Sequence, residues 1–283
     1  MKILVTGAEG LLGKSCLELA HNEHEVTGVD IDSLDITNGD AVQSCLSDLK
    51  PQAVLHCAAY TNVDGAETER QKAWNVNAEG AEWVARAAQK VGAVMVYVST
   101  DYVFDGRAAT PYRESHPPHP LSAYGTSKLG GEQRVSEACP EKHLIVRTAW
   151  LYGSGKGFVD WVCHGLESNE DLTLVHDHKG SPTFAVDLAR ALLRLTEQDH
   201  RGIFHYSNKG ETSWYDWGRT IAIMMGLPEN CLKAISADEL GRAAPRPAYS
   251  VMAVEKYEEA TGDSVPLWQN ALERYLRSRG RIA

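Results

Sequence analysis

Short apolar runs alternate with segments of helical periodicity from the first residues onward. Residues 3–6, 26–29, 53–57, 94–99 and 144–146 are rich in Val, Ile and Leu with little polar alternation, the pattern of parallel strands buried on both faces. Between them, Leu12, Cys16, Leu19 and Ala20 share one helical face, as do Val42, Cys45, Leu46 and Leu49, and then Ala78, Ala81, Val84, Ala85 and Ala88. Strand–helix alternation of this kind predicts an α/β fold with a doubly wound parallel sheet. Beyond about residue 150 the alternation loosens into Gly-, Trp- and Tyr-rich segments punctuated by Ser181-Pro182 and Arg246-Pro247. The sheet domain is therefore expected over 1–150. The helical stretch 184–195 should carry the chain back, so that about 183–206 rejoins that domain, while 151–182 and 207–283 form a smaller C-terminal lobe.

Composition narrows the function classes. With 283 residues and 43% apolar content the chain can bury a sizeable core. A formal charge of −10 and the lack of any Lys/Arg run argue against a nucleic-acid partner, which needs cations to displace phosphate counterions. The six cysteines are scattered, without Cys-x-x-Cys or a His/Cys cluster, so neither a disulfide framework nor a metal site is expected. The chain enters a strand directly at MKILVTG, and no apolar run reaches membrane-spanning length. A soluble cytoplasmic protein without membrane contact is the expectation.

Gly7-Ala8-Glu9-Gly10-Leu11-Leu12-Gly13 follows the first strand and opens the first helix. A glycine trio alone is a weak signal, because many strand–helix turns need φ > 0. At the first turn of a βαβ unit, however, glycines let the backbone approach a pyrophosphate held at the helix N-terminus. The turn thus predicts a Rossmann-type dinucleotide site, with Glu9, Leu11 and Leu12 beside the phosphates. Asp30, at the end of the second strand, is placed to accept from the adenosine ribose hydroxyls. Its neighbours Ile31-Asp32-Ser33 offer no cation for a 2′-phosphate, and Lys14 is the one local cation. NADH is favoured on that ground, with a turn-capping role as the alternative for Asp30. Asp35 and Ile36 fall where the chain would pass the adenine edge.

Tyr124 and Lys128 stand four residues apart at the start of a helical pattern and share one face. An ammonium one turn from a phenol stabilises the phenolate and makes the hydroxyl a usable acid near neutral pH. By itself Tyr-x-x-x-Lys occurs often by chance. Thr100 raises its weight: it ends a buried strand 24 residues earlier, where ligands of such sheets bind, and its hydroxyl is placed to polarise a carbonyl. Asn77 is a candidate organiser of the nearby backbone, with core hydrogen bonding as its alternative.

Together these residues resemble the dTDP-4-dehydrorhamnose reductases, of the extended short-chain dehydrogenase superfamily. The resemblance runs along Gly7 to Gly13, Ala58-Ala59-Tyr60-Thr61-Asn62-Val63-Asp64 with Glu67, Ser99-Thr100-Asp101-Tyr102-Val103-Phe104-Asp105-Gly106, and Pro120-Leu121-Ser122-Ala123-Tyr124-Gly125-Thr126-Ser127-Lys128. It continues through Arg147-Thr148-Ala149-Trp150, Gly180-Ser181-Pro182-Thr183 and Arg246-Pro247-Ala248-Tyr249-Ser250. It implies NADPH or NADH as cofactor, held also by Ala58, Ala59, Tyr60 and Thr61, and a dTDP-linked 4-keto-6-deoxy sugar reduced at C4. In that family pattern Tyr124 donates the proton, Lys128 tunes it and holds the nicotinamide ribose, and Thr100 bonds the carbonyl. Val63, Asp64, Asp101 and Tyr102 would line the sugar pocket, Trp150 would stack on the sugar face, and Arg246 would grip the diphosphate.

The chain departs from the pattern in one place. Some members dimerise through magnesium held by acidic residues after the Gly-x-Pro-Thr loop, and here Phe184-Ala185-Val186-Asp187 lacks the expected glutamate. A metal-free monomer or weak homodimer is therefore expected. Two alternatives stay open on the sequence: another nucleotide-sugar epimerase or reductase, and a non-catalytic NADP-binding regulatory subunit. A dehydratase is disfavoured, since Tyr102 follows Asp101 where a carboxylate base is needed.

Overall fold

The computed structural model describes residues 1–153 and 155–283. The five expected strands are β1 (Lys2–Thr6), β2 (Glu25–Val29), β3 (Ala53–His56), β4 (Val94–Thr100) and β5 (His143–Thr148). Among the described residues they join a sixth, Gly202–His205, in one all-parallel sheet. Its order is sixth strand, β5, β4, β3, β1, β2. The winding direction reverses between β1 and β3, which opens a crevice at the carboxyl ends of those strands.

Helices cover both faces. On one, α1 (Leu11–Ala20) brings Leu12, Cys16 and Ala20 onto Ile3, Val5 and Leu55. On the other, α2 (Gly39–Leu49) contributes Val42 and Leu46 to the core around Leu4, Val54 and Met95. Next come a short helix, α3 (Arg70–Trp74), a π-helical turn (Asn75–Gly80) and α4 (Ala81–Val91), whose Val84, Ala85 and Ala88 complete that layer. The helix α5 (Ala123–Ala138) carries Tyr124 and Lys128 along the same side.

The edge position of β2 departs from the expected two-sided burial. Among the described residues it pairs with β1 alone, and Glu25 and Gly28 remain exposed. Strand β1 takes both of its neighbours' hydrogen bonds and is buried from Ile3 onward.

After β5 the chain builds a lobe from α6 (Phe158–Ser168), later helices and an aromatic core that includes Tyr152, Phe184, Trp217 and Tyr275. It then returns through α7 (Ala185–Glu197), which packs Leu188, Leu192 and Leu195 beside α1 before the sixth strand pairs with β5. The helix α8 (Trp214–Met225) and the last helix, Trp268–Ser278, complete the lobe. Arg274 of the last helix makes a two-pronged ion pair with the buried Asp187 of α7, whose Oδ2 also accepts from Asn208.

Candidate active site

A cavity of about 900 Å³ lies along the carboxyl ends of the strands. Gly7, Glu9, Gly10, Leu11, Leu12 and Gly13 form one wall. Gly7 adopts φ +65°, and a Cβ there would stand 2.6 Å from the Ala58 nitrogen; at Gly13 it would meet the Gly7 carbonyl at 2.1 Å. The turn is thus packed too tightly for side chains. The N-terminus of α1 has no side-chain cap and no acid in its first turn, so its amide groups are available to an anion. This cradle fits the pyrophosphate of a dinucleotide.

At the adjoining end, Asp30, Asp35 and Ile36 line the cavity, joined by Ile31 and Leu34. Asp30 Oδ2 accepts from the Glu9 amide at 2.8 Å and Oδ1 from the Ile31 amide at 2.8 Å, which orients the carboxylate across the glycine turn. Asp35 Oδ1 accepts from both the amide and the hydroxyl of Thr37. Each carboxylate therefore also serves its own loop. Lys128 is the single cation among the described residues lining the cavity.

The reactive groups gather where β4 meets α5. Thr100 ends β4, and its Oγ1 accepts from the Tyr102 amide at 3.2 Å and donates to Asp101 Oδ1 at 3.0 Å. Ser122 caps α5 by accepting from the Gly125 amide, while Glu67 accepts from the Ala123 amide at 2.7 Å. Both fix the helix turn that carries Tyr124, whose hydroxyl lies beside that of Thr100. Asn77 holds the next turn: it exchanges hydrogen bonds with the Tyr60 backbone and donates to Ser127 Oγ at 2.9 Å.

Burial dominates the electrostatics here. It pushes the Tyr124 phenol up to about 12, aided by the Asp101 charge, against a smaller opposing effect of the Thr100 hydroxyl. Lys128, expected to lower it, is not among the groups that set it in this arrangement. Desolvation draws Lys128 down to about 7, opposed by Glu132 and Cys57. The ammonium donates to the Val98 carbonyl at 2.6 Å and sits 4.1 Å from the centre of the Tyr97 ring. Burial raises Asp101 to about 7.

Below this site, Glu132 of α5 receives two hydrogen bonds from Arg147 of β5, at 2.7 and 2.8 Å, and one from Ser99 at 2.5 Å. All three are buried. Periodicity gave no sign of this pair, because charged residues inside α5 and β5 read as solvent-facing.

Thr100, Tyr124, Lys128, Asp101, Tyr102, Val63, Ala58, Ala59, Thr61 and Trp150 all line the one cavity. Tyr60, Asp64 and Arg246 do not. The Tyr60 hydroxyl turns away to Glu69 at 2.6 Å, while its backbone is clamped by Asn77. Asp64 and Arg246 satisfy one another: Nη1 and Nη2 reach Oδ1 and Oδ2 at 3.0 and 2.8 Å, and Arg242 adds a third contact. These pairs hold the Asp64 carboxyl down at about 2. Arg246 thus joins the loop after β3 to the C-terminal segment and lies beside Tyr102, and in this structure the guanidinium expected at the diphosphate is paired with Asp64.

Trp150 reaches the cavity but its ring is already stacked. It lies 3.9 Å from Trp214, nearly parallel at 16°, on a backbone with φ +44°, a conformation bulky residues rarely adopt. Gly180 makes room for it, since a Cβ there would meet the indole at 2.5 Å. Trp214 also lines the cavity. No spacing in the sequence signals it, because it comes from a helix 64 residues further on.

The comparisons with known proteins agree with this geometry. Residues 1–280 match the model of the RmlD substrate binding domain. The chain is 40% identical over 277 residues to dTDP-4-dehydrorhamnose reductase of Streptomyces griseus, covering 95% of this chain and 91% of that one. It is 38% identical over 280 residues to the spore coat polysaccharide biosynthesis protein SpsK of Bacillus subtilis, covering 98% of each. Among solved structures, dTDP-4-dehydrorhamnose reductase from Bacillus anthracis in complex with NADP superposes with a TM-score of 0.94 at 40% identity, covering 98% of this chain and 100% of that one. A glycine cradle at the switch point, a Thr–Tyr–Lys cluster beside it and whole-length similarity lead to one conclusion: the chain belongs to the RmlD substrate-binding-domain family, that of the dTDP-4-dehydrorhamnose reductases.

Proposed function

We propose that the protein is an NAD(P)H-dependent reductase that converts the C4 ketone of dTDP-4-dehydro-L-rhamnose to the alcohol of dTDP-L-rhamnose. The carrying observation is that Thr100, Tyr124 and Lys128 line one cavity together with the glycine cradle. The reduced nicotinamide, when bound, supplies the hydride. Thr100 and Tyr124 orient the carbonyl and stabilise charge on its oxygen as it forms. Tyr124 then gives that oxygen its proton, and the phenolate left behind is stabilised by Lys128. Lys128, held from below by Val98 and Tyr97, is positioned to bind the nicotinamide ribose.

In this reading 1–150 with 183–206 hold the cofactor, and 151–182 with 207–283 hold the sugar nucleotide. Tyr102, where a 4,6-dehydratase needs a carboxylate base, and the intact Thr100–Tyr124–Lys128 cluster favour reduction. The enzyme is cytoplasmic and works without a metal as a monomer or weak homodimer; in support, the Asp187 carboxylate is already consumed by Arg274 and Asn208. No described helix is long and apolar enough to cross a membrane.

The test is oxidation of NADH and NADPH by purified protein supplied with the dTDP-4-keto sugar. Tyr124→Phe should bind cofactor normally and lose about 10²-fold or more in kcat. Cofactor binding without turnover in the wild type would point instead to the regulatory-subunit alternative.

A further inference from the structure

Asp101 is 2% exposed, lines the cavity and contacts the hydroxyl of Thr100. Its Oδ1 accepts a hydrogen bond from the Thr100 hydroxyl at 3.0 Å, while Oδ2 is buried without a hydrogen bond among the described residues. Ser250 lies beside the carboxyl without closing a bond to Oδ2. The other ionisable groups facing it are Tyr124 from α5 and Tyr102 from the turn that follows β4. The Arg246 guanidinium is engaged with Asp64 and Tyr102.

A hydroxyl has one proton and two acceptor positions. With Asp101 ionised, the single proton of Thr100 is committed to the carboxylate, which is an acceptor only, and nothing remains for a substrate carbonyl. With Asp101 protonated, the carboxyl O–H donates to Thr100 Oγ1. The two acceptor positions of Thr100 are then filled by Asp101 and by the Tyr102 amide. The Thr100 proton is released toward the cavity, and the Tyr124 proton has no competing acceptor at Thr100.

We propose that Asp101 is a positioning residue that works in its neutral form, donating to Thr100 and so turning the Thr100 hydroxyl toward the substrate carbonyl. The inference rests on the proposed reduction, in which Thr100 touches that carbonyl. No net proton is consumed at Asp101: the carboxyl keeps its proton through the cycle, and the alcohol's proton comes from Tyr124. Burial holds the Asp101 carboxyl near neutrality, which places the change of donor direction within the working pH range.

The experiment compares kcat of wild type and Asp101→Asn across about pH 6 to 9 with saturating cofactor. Asparagine donates permanently to Thr100, so the ratio of variant to wild-type kcat should rise by roughly tenfold or more with pH, the effect of one hydrogen bond to a forming alkoxide. Any pH effect of Lys128 is common to both and cancels. A flat or falling ratio overturns the proposal. Should Asp101→Asn fail to fold, Thr100→Val serves: its kcat deficit relative to wild type should shrink as pH rises. A constant deficit overturns the role of Asp101 and leaves the Thr100–carbonyl contact standing. No deficit at any pH overturns both.

Discussion

The Lys128 ammonium rests 4.1 Å from the centre of the Tyr97 ring while donating to the Val98 carbonyl at 2.6 Å. A buried cation placed on an aromatic face recovers part of its lost hydration. Tyr97 is itself fixed by its hydroxyl, which donates to the Asn77 carbonyl at 2.9 Å, and by stacking on His56. Lys128 already lies down at about 7. Tyr97→Leu should therefore lower it further and move the alkaline limb of the kcat profile to lower pH by about one unit. Tyr97→Phe keeps the ring and should leave that limb in place. Identical profiles for both variants would exclude the aromatic contribution.

Cofactor choice should follow Asp30. Its carboxylate is pinned by the Glu9 and Ile31 amides at the adenosine end, where no cation lines the cavity among the described residues. A ribose diol can donate to it, whereas a 2′-phosphate is repelled. NADH is expected to give the higher kcat/KM. Asp30→Ala should shift the NADPH/NADH ratio of kcat/KM upward by roughly tenfold, or about 1.4 kcal/mol. An unchanged ratio would remove Asp30 from the discrimination.

The Glu132–Arg147 pair ties the catalytic helix to the sheet at full burial. Removing one partner leaves the other charge unpaired in a low-dielectric site. Arg147→Met should destabilise the fold by about 3–5 kcal/mol, measured by denaturant unfolding. The double variant Glu132→Gln/Arg147→Met should recover part of that loss. Full additivity of the two single changes would show that the pair is not coupled.

Two buried histidines predict acid sensitivity. Burial draws both His56 and His205 down to about 3, with Lys128 and Arg147 as the respective neighbouring cations. A histidine depressed in the folded state contributes stability that is complete above the unfolded value near 6.5 and is lost as pH falls toward the folded value. Each should cost about 1.4 kcal/mol per pH unit across that window. The unfolding free energy should fall between about pH 6.5 and pH 4, and His205→Gln should flatten part of the slope. A slope unchanged by that substitution would assign the acid sensitivity to other groups.

Much of the fold was legible because burial and chain direction leave periodic traces. Buried strands read as apolar runs, and the glycine turn can be read by position alone, since Gly7 and Gly13 sit where no Cβ fits. The helical stretch 184–195 was legible as a helix, and the structure forms α7 there. The partial exposure of β2 was not, because its residues resemble those of an interior strand and only its place at the sheet edge removes the second neighbour.

At the candidate site, the sequence by itself determined which chemistry is available: a Thr, a Tyr and a Lys in the order and spacing of strand end and helix face, next to a dinucleotide turn. The tertiary structure decided how each group is used. It joined Arg246 to Asp64 across 182 positions, stacked Trp214 on Trp150, hid Glu132 against Arg147 and buried the Asp101 carboxyl. The physical reason is the reach of each interaction. Helix and strand periodicity act over a few residues, whereas ion pairing, stacking and desolvation depend on distances in space that no local pattern records.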